Sequence, residues 1–173
     1  MLKANFITAQ EAAEKIQDGS TLCTIGMTLV SASESILKAI EKRFETVGHP
    51  ADITLVHSCG QSDRKDGIQH LAHEGLVKRI VGSHWGLQPR WMEMIANSQV
   101  EAYCLPQGQI AQLYRSMACG LPGKMSKVGL GTFIDPRVEG GKMNDRTKPL
   151  PDIVDILEYG GEEYMFYKEI PLD

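Results

Sequence analysis

Gln107 is the residue whose neighbours best equip it for chemistry. It stands in Leu105-Pro106-Gln107-Gly108, where an apolar strand (Val100 to Leu105) enters a Pro-Gln-Gly corner and a helix, from about Gln109 to Cys119, leaves it. A second glycine-rich stretch follows, Gly129-Leu130-Gly131-Thr132-Phe133-Ile134-Asp135-Pro136-Arg137. In an open α/β sheet, ligands sit beyond the carboxyl ends of the strands, where corners of this kind lie. A side-chain amide fixed between Pro and Gly can donate a hydrogen bond to an oxyanion formed at a carbonyl, a contribution of a few kcal/mol when preorganised. It can act neither as nucleophile nor as base, so a chain whose best catalytic group is an amide reads as half of an active site. The same spacing also fits an ordinary strand-to-helix turn.

The other constellations are weaker. His70, His73 and Glu74 fall within one helical turn, but the order is not His-Glu-x-x-His and no third ligand is suitably spaced. No metal is expected there, and a solvated or capping role is. His84-Trp85 lies between glycines at a strand end, where the ring either stacks on a ligand or covers the end of the core. Gly26 after the first strand lacks the glycine spacing of a dinucleotide fingerprint and the Gly-Lys-Ser/Thr of a phosphate loop.

Composition narrows the class. With 173 residues, 42% hydrophobic and 23% charged, the chain suits one domain, residues 1–173, with a substantial core. A net charge of −4 without a basic cluster makes nucleic acid and anionic membrane poor partners. No apolar run is long enough to span a bilayer, and Met1 to Phe6 lack the core of a signal peptide. Cys23, Cys59, Cys104 and Cys119 form no Cys-x-x-Cys pair and read as small buried thiols in a reduced, cytoplasmic setting.

The elements that must carry these residues are well signalled. Thr8 to Glu11 is a capping box, and the helix it opens is expected to close at Asp18-Gly19. Ser31 to Glu34 is a second capping box, opening a helix that Gly48-His49-Pro50 ends. Strands are predicted over Thr21–Ile25, Ile53–His57 and Leu76–Val81, a helix over Pro89–Asn97, and a polar irregular stretch over Glu139–Pro151. Ile153–Tyr159 and Glu162–Tyr167, joined at Gly160-Gly161, form a hairpin. The alternation predicts an α/β fold: a single three-layer domain with a largely parallel sheet and a C-terminal β-hairpin. Glu169 to Asp173 follows a strand with no closing helix and reads as a split point.

Several linked motifs together resemble one family. They are Ile7 to Ala13, Leu71 to Arg79, Gly82 to Gly86, Ala102 to Gly108, Gly129 to Arg137, Gly140-Gly141-Lys142 and Glu163 to Tyr167. In this order they are similar to the N-terminal (α-type) half of family I CoA-transferases, closest to the acetate or propionate branch. The resemblance implies the CoA-transferase superfamily fold and exchange of CoA between an acyl-CoA and a short-chain carboxylate through a glutamyl thioester. In that family the glutamate lies in a C-terminal, β-type half, fused or separate, whose motif is not found here. The family's Pro-Gln-Gly glutamine helps form the oxyanion hole, and this carries over onto Gln107. Gly26, Met27, Gly60, Gly108, Gly131, Thr132 and Phe133 are the expected substrate- and CoA-binding positions. Coenzyme A is then a substrate, no permanently bound cofactor is implied, and a homo-oligomer is expected. Met27 and Ser33 depart from the aromatic and proline that the family usually carries. The rival reading is a non-catalytic acyl-CoA binding module.

Overall fold

A computed structural model describes residues 4–173; Met1–Lys3, part of the stretch read for a signal peptide, lie outside them. Four strands, β1 (Thr21–Thr24), β2 (Ile53–His57), β3 (Val77–Gly82) and β4 (Glu101–Cys104), form a sheet in the order β1-β2-β3-β4 with every pair parallel. Alternation along the strands serves two cores. Ile53, Leu55, Ile80 and Ala102 face one core with Leu37, Ile40 and Trp91, whereas Val56, Val81 and Tyr103 face the other with Ile110, Met165 and Tyr167. The first core lies under α1 (Ala9–Glu14), α2 (Glu34–Val47) and α3 (Pro89–Ala96). The second lies under α4 (Gln107–Ala118) and an antiparallel sheet of β5 (Gly123–Ser126), β7 (Glu162–Lys168) and β6 (Val154–Tyr159), in that order. Sheet between layers on both faces is the expected three-layer α/β arrangement.

Several boundaries differ from expectation for identifiable reasons. The first capping box forms, with Glu11 N–H on Thr8 Oγ1 and the Glu11 carboxylate on Thr8 N–H, but the helix ends at Glu14. Asp18 is used elsewhere, accepting from Ala51 N–H at 2.8 Å and facing His49 Nδ1 at 2.9 Å. The second capping box does not form. Ser31 lies in a tight turn at φ +63°, Ser33 is the N-cap and makes no side-chain cap bond, and the Glu34 carboxylate accepts from Gly67 N–H instead. The hairpin forms across Gly160 and Gly161, both at positive φ, as its two-residue turn requires. It gains β5 as a third strand, which the Gly120 to Gly123 helix stop concealed. None of the four cysteines expected to be buried is fully so: Cys23, Cys59 and Cys104 are half-buried, and Cys119 caps the end of α4 and is exposed.

The polar stretch after Glu139 is ordered by buried polar side chains. Asn144 donates to the carbonyls of Ile95 and Val100, both at 2.9 Å, and accepts from Thr147, whose Oγ1 accepts from Ala102 N–H at 2.7 Å. This segment runs along the outer side of β4, where Met143 N–H reaches Ala102 O and Cys104 N–H reaches Gly141 O. Among the described residues, backbone hydrogen bonds cover the outer side of β1 only at Thr21, which exchanges two with Asp173.

Candidate functional site

All four parallel strands end at the same edge of the sheet, and the loops leaving them hold the residues singled out by sequence. After β1 come Gly26 and Met27; after β2, Ser58-Cys59-Gly60; after β3, Ser83 to Gly86; after β4, Pro106 and Gln107. Neighbouring loops are stitched together. Thr28 N–H donates to Gly60 O at 3.2 Å, Ser83 Oγ to Ser58 O, and Leu105 N–H to Gly82 O at 2.9 Å. The Gly131-Thr132-Phe133 turn joins from the far side, because Gly141 donates to Phe133 O at 3.0 Å while Gly141 O accepts from Cys104 N–H at 2.8 Å. Gly26, Met27 and Gly60 therefore form one group, and Gln107, Gly108 and the Gly131 turn another. Three strand spacings separate β1 from β4, roughly 14 Å.

α4 begins at Gln107 rather than Gln109, so Gln107 and Gly108 belong to the first helical turn. Pro106, with φ near −61° and no N–H to lose, takes the N-cap place. It has no side-chain oxygen to cap the helix, so the first N–H groups point outward beside the Gln107 amide. Gln107 is exposed and its side chain makes no hydrogen bond among the described residues. An amide donor at the positive end of a twelve-residue helix suits a developing negative charge.

The glycines divide by what a Cβ would meet. At Gly26 (φ +147°) it would lie 2.7 Å from Val30 O, and at Gly60 it would collide with the buried Gln88 amide. At those two positions the chain's own packing accounts for glycine. At Gly108 and Gly131 nothing lies within 4 Å, and at Gly131 the φ of +68° by itself favours glycine. Met27 and Phe133 are exposed, as is Thr132, whose hydroxyl donates to Gly129 O. The turn is held by buried Asp135, which accepts from Gly131 N–H and from Arg137; the Arg137 guanidinium holds its carboxyl well below the usual carboxylate range.

Behind these loops lies a layer of buried polar groups. His57 is fully buried, with Nδ1 3.0 Å from Cys59 O and its ring edge-on to Trp85 at 4.9 Å. Burial pushes its pKa down to about 4, so it is a neutral imidazole. Trp85 is buried too, and covers the end of the core. Thr24 Oγ1, His57 Nε2, Gln61 Oε1, Trp85 Nε1 and Tyr114 OH are buried without a partner.

His70 and His73 are neither solvated nor capping. They face α2, whose side chains the sequence spacing could not bring to them: His70 lies between Glu41 and Glu34 (2.8 Å), and His73 Nε2 is 2.8 Å from Glu41. Burial opposes charge on His70, but the hydrogen bonds to Glu41 and Glu34 outweigh it and hold its pKa above the ordinary value. Glu41 behaves inversely, its burial outweighed by bonds from His73 and His70 that hold its carboxyl below the ordinary range. Glu34, Asp66 and His70 could offer donor atoms to a metal, as could Glu41, Glu45 and His73. Their charge is already met by Lys38, 3.0 Å from Glu34, and by Arg90, 3.6 Å from Glu41. No helix among the described residues is long and apolar enough to cross a membrane.

Comparison with known proteins decides the family. The Coenzyme A transferase family profile matches residues 6–171. This chain belongs to the coenzyme A transferase family. Among its relatives, the caffeate CoA-transferase of Acetobacterium woodii is 43% identical over 98% of this chain. The acetate CoA-transferase YdiF of Escherichia coli K12 is 37% identical over 96% of it. The chain spans about a third of the length of each, 32% in both cases. Among solved structures, the acyl-CoA transferase YdiF of Escherichia coli O157:H7, captured as a thioester complex with CoA, superposes with a TM-score of 0.90 at 36% identity, covering 96% of this chain and 33% of that one. The expected family and fold are thus borne out for this CoA-transferase chain.

Proposed function

We propose that this chain is the α-type half of a short-chain acyl-CoA:carboxylate CoA-transferase, with residues 1–173 assigned to a single domain. The observation that carries the reading is identity of 37–43% to acetate and caffeate CoA-transferases over nearly the whole chain, together with an exposed amide, Gln107, at the start of α4. In the proposed reaction a glutamate of the β-type half attacks the acyl-CoA carbonyl and thiolate leaves, giving a mixed anhydride. Thiolate then attacks the glutamyl carbonyl, releasing the acid and leaving a glutamyl-CoA thioester, and the incoming carboxylate reverses the sequence. Each addition places negative charge on a carbonyl oxygen, which Gln107 Nε2–H stabilises. Gly108 and Gly131 leave room for the substrate backbone, Thr132, Phe133 and Met27 line the wall, and Gly26 and Gly60 shape the neighbouring loops. Coenzyme A is a substrate, and the partners are the β-type half, fused or separate, and further copies in a homo-oligomer. The setting is cytoplasmic.

The test is acyl-CoA to acetate transfer by this chain alone and by the product of its complete reading frame, each with and without Gln107→Ala. Transfer by the complete protein, abolished by borohydride after acyl-CoA and lowered about 10²- to 10³-fold by Gln107→Ala, supports the reading. An unchanged rate in Gln107→Ala removes Gln107 from the mechanism. Absence of transfer from both, with acyl-CoA still bound by the chain, replaces it with the non-catalytic binding module.

A further inference from the structure

At the end of α4 remote from Gln107, an open cleft of about 460 Å³ is lined by Gln112, Arg115, Ser116, Cys119, Leu121 and Lys124. It contains two cations and no carboxylate. Elsewhere on the same layer the cations are paired: Lys127 with Glu162 at 2.7 Å, Lys168 with Asp155 at 2.8 Å, Arg137 with Asp135 at 2.8 Å. Arg115 and Lys124 make no ion pair among the described residues, in a chain of net charge −4. Lys124 is half-buried and its ammonium donates to a neutral acceptor, Oε1 of buried Gln109, at 2.6 Å. Burial lowers its pKa. Arg115, in the last turn of α4, has the carbonyl end of the helix to favour it; Lys124, on β5, has no such compensation.

We propose that this cleft is a phosphoryl-anion site, in which Arg115 and Lys124 supply charge and the Ser116 hydroxyl and Gln112 amide supply further donors. A guanidinium fork and an ammonium are the usual recognition set for phosphate oxygens, and Arg115 and Lys124 both line this one cleft. Eight residues of helix, roughly 12 Å, separate Arg115 from Gln107, so an elongated phosphorylated substrate could engage both. Coenzyme A as the source of the phosphate rests on the function proposed above; the anion site does not, and free inorganic phosphate is the other source.

Calorimetric titration of the chain with inorganic pyrophosphate, in phosphate-free buffer at low ionic strength, tests the site. Saturable one-site binding is expected, weakened about tenfold or more by Lys124→Met and by Arg115→Met, because each removes charge-assisted hydrogen bonds. Lys78→Met, which removes an exposed charge from β3, should leave it unchanged. Arg115 is exposed, so that variant keeps the test open if Lys124→Met does not fold. Binding should also raise the Lys124 pKa, read by NMR. Absent or non-saturating binding, or equal weakening by Lys78→Met, means an adventitious ion only and overturns the proposal. Tighter binding of CoA than of dephospho-CoA, lost in Arg115→Met, supports the coenzyme phosphate as ligand. Equal binding of the two, with pyrophosphate still saturating, supports the free anion. Gln107→Ala should retain pyrophosphate binding, so failure of the transfer reading and failure of this site are separable.

Discussion

Replacing Gly141 by alanine should uncouple the Gly131-Thr132-Phe133 turn from the end of β4. Gly141 sits at φ +72°, where a side chain costs about 1–2 kcal/mol. Its Cβ would also lie 2.6 Å from Cys104 O, a backbone atom that cannot swing aside, so overpacking adds about 1–3 kcal/mol. The sum is about 2–5 kcal/mol, or roughly 4–20 °C in Tm at 2–4 °C per kcal/mol for a chain of this size. Gly160 is the matched control: its φ is +63° and nothing lies within 4 Å of its Cβ, so Gly160→Ala carries the backbone cost alone. Thermal unfolding of the two variants isolates the contact. Hydrogen exchange locates it, since the amides of Cys104 and Gly141 are those whose bonds break. Equal Tm values for the two variants, or unchanged protection at Cys104, would refute the pinning role of Gly141.

Gly108→Ala should leave stability unchanged or raise it by up to about 1 kcal/mol, since the residue is helical and its Cβ meets nothing; in the complete protein it should slow transfer, and steady-state kinetics beside a melt will show whether the open space is used. Asn144→Ala removes the side-chain donor to Val100 O, while Ile95 O keeps Ser98 N–H at 3.1 Å, and should cost about 1–3 kcal/mol, measured by urea titration. His70 and His57 shape the pH profile in opposite directions. His70, its pKa raised by folding, stabilises fully below about 6.5 and loses that contribution as pH rises through its folded value. His57, depressed to about 4, stabilises above 6.5 and forfeits about 3 kcal/mol as pH falls to 4. Unfolding free energy should therefore peak near pH 6.5, and His70→Gln should flatten the alkaline limb.

The sequence was legible where local rules decide. Thr8 with Glu11, the alternation of Ile53 to His57, the Gly48 stop and the Gly160-Gly161 turn all settle within a few residues. It misled where a polar side chain had a distant partner. Glu34 looks like a capping-box residue until Gly67 and His70 arrive from thirty-odd positions away, and the stretch around Asn144 looks irregular until the Ile95 and Val100 carbonyls engage that side chain. His70 and His73 were noticed, but their carboxylates lie on α2, a distance that spacing arguments do not reach. The Pro-Gln-Gly corner lies between a strand and a helix, as its sequence implies, although only the structure puts Gln107 inside the helix. The glycines could be counted in the sequence but not sorted, because the difference between Gly26 and Gly131 is what stands where a side chain would be.

The edge at β1 has a bearing on how this chain behaves at high concentration. Thr21-Leu22-Cys23-Thr24 contains no proline and no charge, and beyond Thr21 its outward amides and carbonyls meet no other segment among the described residues. Such a ladder has no built-in stop: a second β-strand of any origin can lengthen it, and Ile25, Met27 and Val30, all largely exposed nearby, reward the encounter. β4, at the opposite edge, is shielded by the 141–144 segment and offers no such template. Handled by itself, the protein has one side that is finished and one on which aggregation can be seeded.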